Sequence, residues 1–177
     1  MYAVLHDPAY REKYQLNLKR DFPRIPYYNN FEKWREWGKT LADLHVNYED
    51  VEPYNFARKD ETPKKKKENV DNIEIKVKTK LKADKENGRI YIDEITTLSR
   101  IPKAAWEYKL GNRTALEWVL EYHKEKKPKD PTIAKKFNSY RFADYKEEVI
   151  TLLRKVCTVS IKTAEIIEKM SKEKQKK

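Results

Sequence analysis

Apolar residues in the first 50 positions recur every three or four residues, the period of helices with one face turned to a core. Asp7 followed by Pro8 is a cap and a first-turn proline, and Tyr10, Tyr14 and Leu18 then share a face, so the spacing predicts a helix over roughly 8–20. "FPRIPYY" (22–28) is extended, because each residue before a proline is pushed out of the α region. Asn30 caps a second helix whose stripe runs through Phe31, Trp34, Gly38, Leu41, His45 and Tyr48, with Trp37 and Leu44 beside it. A glycine inside that stripe predicts the close approach of another backbone.

The pattern is lost over 57–72, "ARKDETPKKKKENVDN", which predicts a mobile basic loop. From Ile73 it returns with period two. Ile73, Ile75, Val77, Thr79 and Leu81 alternate with charged residues, a strand with one wet face. Asn87-Gly88 predicts a type I′ hairpin turn into the partner strand "RIYIDE" (89–94). An amphipathic helix near 113–126 carries Leu116, Val119, Leu120 and His123 and ends before Pro128 and Pro131, while 132–141 fits no single period. From Phe142 to Met170 helical spacing resumes through Tyr145, Val149, Leu152, Val156, Val159, Thr163 and Ile166, as one long helix or as two meeting at "CTVS". The sum is an α+β fold: a small antiparallel sheet (hairpin 73–82/89–94) flanked by several helices, with a long C-terminal helix. We expect one domain over 1–177 with two lobes, helices in 1–56 and sheet plus helices in 73–170, and a solvated tail at 171–177. Trp34, Trp37, Trp106 and Trp118 sit beside aliphatics and are expected in the core.

Composition narrows the chemistry. Three glycines, Gly38, Gly88 and Gly111, are too scattered to build a phosphate-cradling loop, a dinucleotide turn or a nucleophile elbow. With 40 Lys and Arg against 29 Asp and Glu, the net charge is +11, which suits a surface that docks on a polyanion. Cys157 is the only cysteine, so an intrachain disulfide is excluded. A lone cysteine gives no support to an oxidising compartment, so a cytoplasmic protein is expected, and the absence of any apolar run of about 18 residues predicts no membrane span and no membrane partner.

Two enzymatic possibilities rank low. Glu74 and Lys76 share a strand face, as a metal-dependent nuclease requires, with Asp71 or Asp60 as a further ligand, but the alternation continuing through Lys78, Lys80 and Lys82 fits an ordinary wet face better. His6, His45 and His123 are far apart in sequence and lack cysteine partners at zinc spacing, so each is expected to be packed and hydrogen-bonded, with no metal site. The basic segments suit DNA better. Lys135, Lys136, Asn138, Ser139, Tyr140 and Arg141 combine phosphate-seeking cations with side chains able to pair with base edges, Asn with adenine and Arg with guanine. Lys109, Arg113, Lys65 and Lys66 are further DNA-binding candidates.

Several phrases carry a family resemblance: "LHDPAYREKY…LKRDFPRIPYY" (5–28), "GKTLADLHVNYE" (38–49), "NGRIYIDE" (87–94), "WEYKLGNRTALEWVLEYHKEK" (106–126) and the closing "YRFADYKEEVITLLRKVCTVSIKTAEIIEKM" (140–170). Together they resemble the C-terminal target-recognition region of Type ISP restriction-modification enzymes and related helicase-methyltransferase proteins. The resemblance implies a module that selects a double-stranded DNA sequence for a larger enzyme, and partner domains in the same polypeptide, a helicase-like motor and an adenine methyltransferase. It also implies that S-adenosylmethionine, ATP and Mg serve the full-length enzyme while this chain holds no cofactor and no catalytic residue. A domain that braces those partners without touching bases is the alternative. The matching phrases are those that periodicity assigns to the core, so base-reading residues are expected where the chain departs from them, at 127–141.

Overall fold

The computed structural model describes residues 1–61, 77–126, 128, 130–137 and 140–174. Two short helices open it, α1 (Tyr2–His6) and α2 (Pro8–Lys13). Between them Asp7 takes an extended ψ of 117°, and its side chain accepts from the Ala9 amide at 3.2 Å, as an N-cap does when proline occupies the first helical position. The expected 8–20 helix is therefore shorter. It ends at Lys13 and yields to a 3₁₀ turn at Asn17–Lys19, where the Asn17 carbonyl accepts from both Arg20 (2.9 Å) and Asp21 (2.8 Å).

Helix α3 (Phe31–Val46) starts as expected, with the Asn30 side chain accepting from the Lys33 amide at 3.3 Å. Gly38 is the point where α1 crosses it. A Cβ there would stand 3.4 Å from the Ala3 nitrogen and 3.6 Å from the Ala3 Cβ, so this glycine admits the neighbouring backbone. Trp34 and Leu41 are buried, but Phe31, assigned by its spacing to the same stripe, is 70% exposed.

Among the described residues one sheet has four antiparallel strands in the order β1 (Ala57–Asp60), β4 (Thr96–Ser99), β3 (Arg89–Asp93), β2 (Thr79–Asp84). Strand β1 corrects the loop expected from residue 57, since Ala57–Asp60 pairs along Ser99–Thr96. Residues 73–76 of the expected hairpin lie outside the described residues. The turn between β2 and β3 is longer than a type I′ pair: Lys85 to Gly88 connect the strands, the Gly88 amide reaches the Lys85 carbonyl at 3.4 Å, and Gly88 has φ +59°. Asp84 selects this form, because its carboxylate accepts from the Asn87 amide (3.2 Å) and side-chain nitrogen (2.9 Å). Any Cβ on Gly88 would meet the Ile101 carbonyl at 2.6 Å.

A two-residue turn at Gly111-Asn112 joins β5 (Lys109–Leu110) to β6 (Arg113–Thr114), with Gly111 at φ +71° as a type II′ turn requires of its first central residue. Thr114 and Glu117 then form a capping box for α4 (Ala115–Tyr122). A short helix α5 (Pro131–Phe137) follows, and a single helix α6 (Phe142–Lys174) runs through "CTVS" without interruption.

Helix α6 serves both hydrophobic clusters. Its Val149, Ile150, Leu153 and Cys157 pack with the sheet residues Ile90, Ile92 and Leu98 and with Trp106 and Leu116, whereas Ile166 and Met170 pack with Ala3, Val4, Trp34 and Leu41. At 33 residues and about 1.5 Å rise per residue, the helix is a strut of about 50 Å, long enough to reach from one cluster to the other. No helix among the described residues is long and apolar enough to cross a membrane.

Candidate nucleic-acid interface

The segment expected to read bases is partly built on α5. Asp130 caps that helix, its carboxylate accepting from the Thr132 (2.7 Å) and Ile133 (3.0 Å) amides, with Pro131 at the first helical position. Lys136 is exposed on the helix; Lys135 lies on the same helix, and its side chain lies outside the described residues, as do Asn138 and Ser139. Tyr140 turns inward. Its ring stacks on Tyr145 at 5.4 Å and 15°, and its hydroxyl donates to the His123 carbonyl at 3.3 Å. Phe142 is 1% exposed, and its amide donates to the Glu125 carboxylate at 2.9 Å. Between these anchors Arg141 is exposed, with its carbonyl accepting from the Asp144 amide at 3.2 Å.

Beside Arg141 lies a cleft of about 530 Å³ lined by Tyr122, His123, Tyr140, Tyr145 and Glu148. Periodicity assigned Tyr145 to the packed stripe of α6, but it is 44% exposed and forms the open side of this cleft. Burial lowers the His123 pKa, so the imidazole contributes no charge here near neutral pH.

The other candidates are dispersed. Lys109 is exposed on β5, two residues before the II′ turn. Arg113 is engaged within the protein, its guanidinium over the Trp118 ring at 5.2 Å and 3.8 Å from Glu121. Trp118 is consequently not the core residue expected: it is 41% exposed and clamps the small hairpin by donating from Nε1 to the Leu110 carbonyl at 2.7 Å. Lys65 and Lys66 lie outside the described residues, as do Asp71, Glu74 and Lys76 of the nuclease pattern. Asp60 is described, and it is occupied, accepting from Thr96 (2.6 Å) and then Arg58 (2.8 Å), which hold its carboxyl below the usual range. No group of three or more His, Cys, Asp and Glu side chains among the described residues could hold a metal ion.

The wet lysine face read from the alternation is present: Lys80 and Lys82 are exposed on β2, with Arg89 exposed on β3. Two further constellations escape a linear reading. Asp93, 5% exposed, accepts from the Ile95 (2.9 Å) and Thr96 (2.6 Å) amides and pairs with Lys146 of α6 at 2.7 Å; Lys146 also donates to Thr96 at 2.6 Å. Arg58 grips Glu147 through both terminal nitrogens, at 2.6 and 2.9 Å. This network fastens the sheet to α6. The histidines also converge: His6 and His45, far apart in sequence, lie with ring centroids 5.2 Å apart, and Tyr108 stacks on His45 at 5.2 Å.

A family model described as the Type ISP C-terminal specificity domain matches residues 1–152. No curated protein matches the chain. Among solved structures, a cryo-EM structure of a DrdV–DNA complex superposes with a TM-score of 0.84 at 53% identity, over 94% of this chain and 17% of that one. A nuclease-deletion mutant of the Type ISP restriction-modification enzyme LlaGI, in complex with a DNA substrate mimic, gives 0.68 at 33% identity, over 94% of this chain and 15% of that one. The ATP-dependent Type ISP restriction-modification enzyme LlaBIII, bound to DNA, gives 0.67 at 28% identity, over 94% and 10%. The chain thus corresponds to less than a fifth of each of these three chains.

Proposed function

The chain belongs to the Type ISP C-terminal specificity domains, and from that premise we propose that it is the DNA target-recognition module of a larger restriction-modification enzyme. The observation that carries the proposal is its likeness, over nearly its whole length, to parts of enzymes solved on DNA. Its net charge of +11 is the physical counterpart, since affinity for duplex DNA comes largely from counterions released when Lys and Arg neutralise phosphates. Methylation and cleavage, with their S-adenosylmethionine, ATP and Mg, belong in this proposal to other domains of the polypeptide.

Within the module the roles divide. Lys136 on α5, Lys109 on the small hairpin and Lys80 and Lys82 on the sheet would hold phosphates, which fixes register without reading sequence. Arg141 is the described side chain best placed to read a base, because a guanidinium can bond bidentately to guanine in the major groove and its backbone is held between two anchored neighbours. Asn138, Ser139 and Lys135 complete the proposed reading segment, and Lys65 and Lys66 are proposed as further phosphate contacts. Tyr140 supports that segment from below, and Arg113, engaged with Trp118 and Glu121, contributes less than Lys109.

Salt dependence tests the proposal. Residues 1–177 should bind duplex DNA with a dissociation constant of about 10⁻⁴–10⁻⁶ M and lose affinity steeply between roughly 50 and 200 mM salt. Affinity unchanged over that range would refute it. In the full-length enzyme, Arg141→Ala should cost about 1–3 kcal/mol of discrimination at one base pair, whereas Lys136→Ala should weaken binding on all sequences alike.

A further inference from the structure

Large apolar side chains stand in water along the connection between α2 and α3 and at the first residue of α3. Phe22 is 96% exposed, Tyr27 105%, Leu16 75%, Phe31 70% and Ile25 42%. Single exposed apolar residues are ordinary on a protein surface, whereas five within 16 positions are the concentration that marks an interaction site.

The segment that carries them is pinned. The Tyr10 hydroxyl donates to the Arg24 carbonyl at 2.8 Å, the Tyr28 ring stacks on Trp34 at 4.0 Å, and the Tyr28 hydroxyl donates to Asp7 at 3.4 Å. Pro23 and Pro26 fix φ on either side of Arg24 and Ile25. Phe22, Ile25 and Tyr27 are therefore held outward by a backbone fixed at Arg24 and Tyr28, so little ordering entropy would be lost when they are covered. Rigid aromatic anchors of this kind are the residues that dominate protein interfaces.

Charge and side-chain chemistry select the occupant. Residues 19–24 carry Lys19, Arg20 and Arg24 against Asp21, a net +2, which a carboxylate-bearing rim would complement. Leu16 and Ile25 have nothing to offer a phosphate backbone, which favours protein over nucleic acid. In each similar solved enzyme the matching region is a minor part of the chain, so ample polypeptide remains to cover this face.

We propose that residues 16–31 form the docking surface for another domain of the same long polypeptide, one with apolar pockets that receive Phe22 and Tyr27 inside an acidic rim. This rests on the proposal that the chain is a module of a larger enzyme. Hydroxyl-radical footprinting of the full-length enzyme and of residues 1–177, both without DNA, tests it. Oxidation of Phe22 and Tyr27 should fall severalfold in the full-length enzyme, and Phe22→Ser/Tyr27→Ser should lower its first unfolding transition while leaving the melting of residues 1–177 unchanged.

Equal oxidation in the two proteins would overturn the proposal. So would protection of these rings in residues 1–177 only on adding duplex DNA, which would assign the surface to nucleic acid, or a dimer of residues 1–177 abolished by the double substitution, which would assign it to a second copy. The salt-dependent DNA affinity of the same samples separates the two levels of failure. DNA binding without ring protection defeats the docking surface alone, and ring protection without DNA binding defeats the recognition function alone.

Discussion

Lys146→Met tests what fastens the sheet to α6. The lysine side chain is 18% exposed and its partner Asp93 6%, with 2.7 Å between the charged groups. Removing one member of a buried pair leaves an uncompensated charge and costs about 3–5 kcal/mol. Two backbone amides, of Ile95 and Thr96, still donate to Asp93 Oδ1, which places the expected loss at the lower end, about 3 kcal/mol. A domain of this size loses roughly 2–4 °C per kcal/mol, so the melting temperature should fall by about 6–12 °C. Arg58→Ala is the control. Its partners Glu147 and Asp60 are 68% and 48% exposed, and removing these surface pairs should cost about 1 kcal/mol, well below the buried pair. The double variant Asp93→Asn/Lys146→Met should recover part of the loss, since neither charge is then stranded. Urea unfolding and thermal melting of five proteins, these four and Asp93→Asn alone, measure all of this. A Lys146→Met chain within about 1 kcal/mol of the parent, or a double variant whose loss is the sum of its single ones, would refute the account.

Trp106 is buried and its indole nitrogen has no partner among the described residues, so Trp106→Phe, which removes that N–H and keeps a ring, should cost under about 1.5 kcal/mol by thermal melting, against about 3–5 kcal/mol for Trp106→Ala. Burial, and then the neighbouring His6, lower the His45 pKa from 6.5 to about 4. The folded state therefore binds its proton more weakly than the unfolded one, and stability should fall as pH drops from 6.5 toward 4, a trend that His45→Asn flattens in a melting series at stepped pH. Solvent screening of this half-buried ring keeps the effect to about 1 kcal/mol. Burial pushes the Cys157 thiol up to about 12, so alkylation of the native chain by iodoacetamide at pH 8 should be negligible and should appear only on unfolding.

Much of the frame was legible because periodicity reports directly on burial. Asn30, Gly38, the burial of Leu81 and the stripe of α6 from Val149 onward stand where spacing placed them, although a register shift between Thr79 and Lys82, with Leu81 at φ +42°, breaks the strict alternation of β2. The failures share a cause, which is that tertiary partners decided them. Ala57–Asp60 has no alternating apolar face of its own and becomes a strand because Thr96–Ser99 offers it a ladder. Gly88 turns with Lys85–Asn87 rather than as half of a pair because Asp84 captures the Asn87 amide. Trp118 falls at helical spacing yet lies outside, held by the Leu110 carbonyl and Arg113. The phrase "FPRIPYY", read as an extended segment within a phrase grouped with the core, exposes Phe22 and Tyr27. Histidines 39 positions apart meet because α1 crosses α3 at Gly38, a contact whose only local sign was a glycine in an apolar stripe.

The candidate base-reading side chains follow from how the frame distributes its bonds. Stability resides in the Asp93–Lys146 network and in α6, which packs into both clusters, and among the described residues α5 adds no member to either cluster. Its described hydrogen bonds run mainly to its own cap, Asp130. Substitutions on its exposed face therefore leave the fold intact, which is the condition a module needs if its DNA preference is to change without unfolding it. Arg141 differs from Lys136 in this respect. Phe142 is buried next to it and Tyr140 is bonded to His123 on its other side, so the guanidinium departs from a fixed backbone. A fixed origin suits bidentate base recognition, which tolerates little displacement, whereas a lysine on a short surface helix suits a phosphate, which accepts a point charge from many directions. If the roles are assigned correctly, Arg141→Lys should lose discrimination nearly as fully as Arg141→Ala, and Lys136→Arg should be silent.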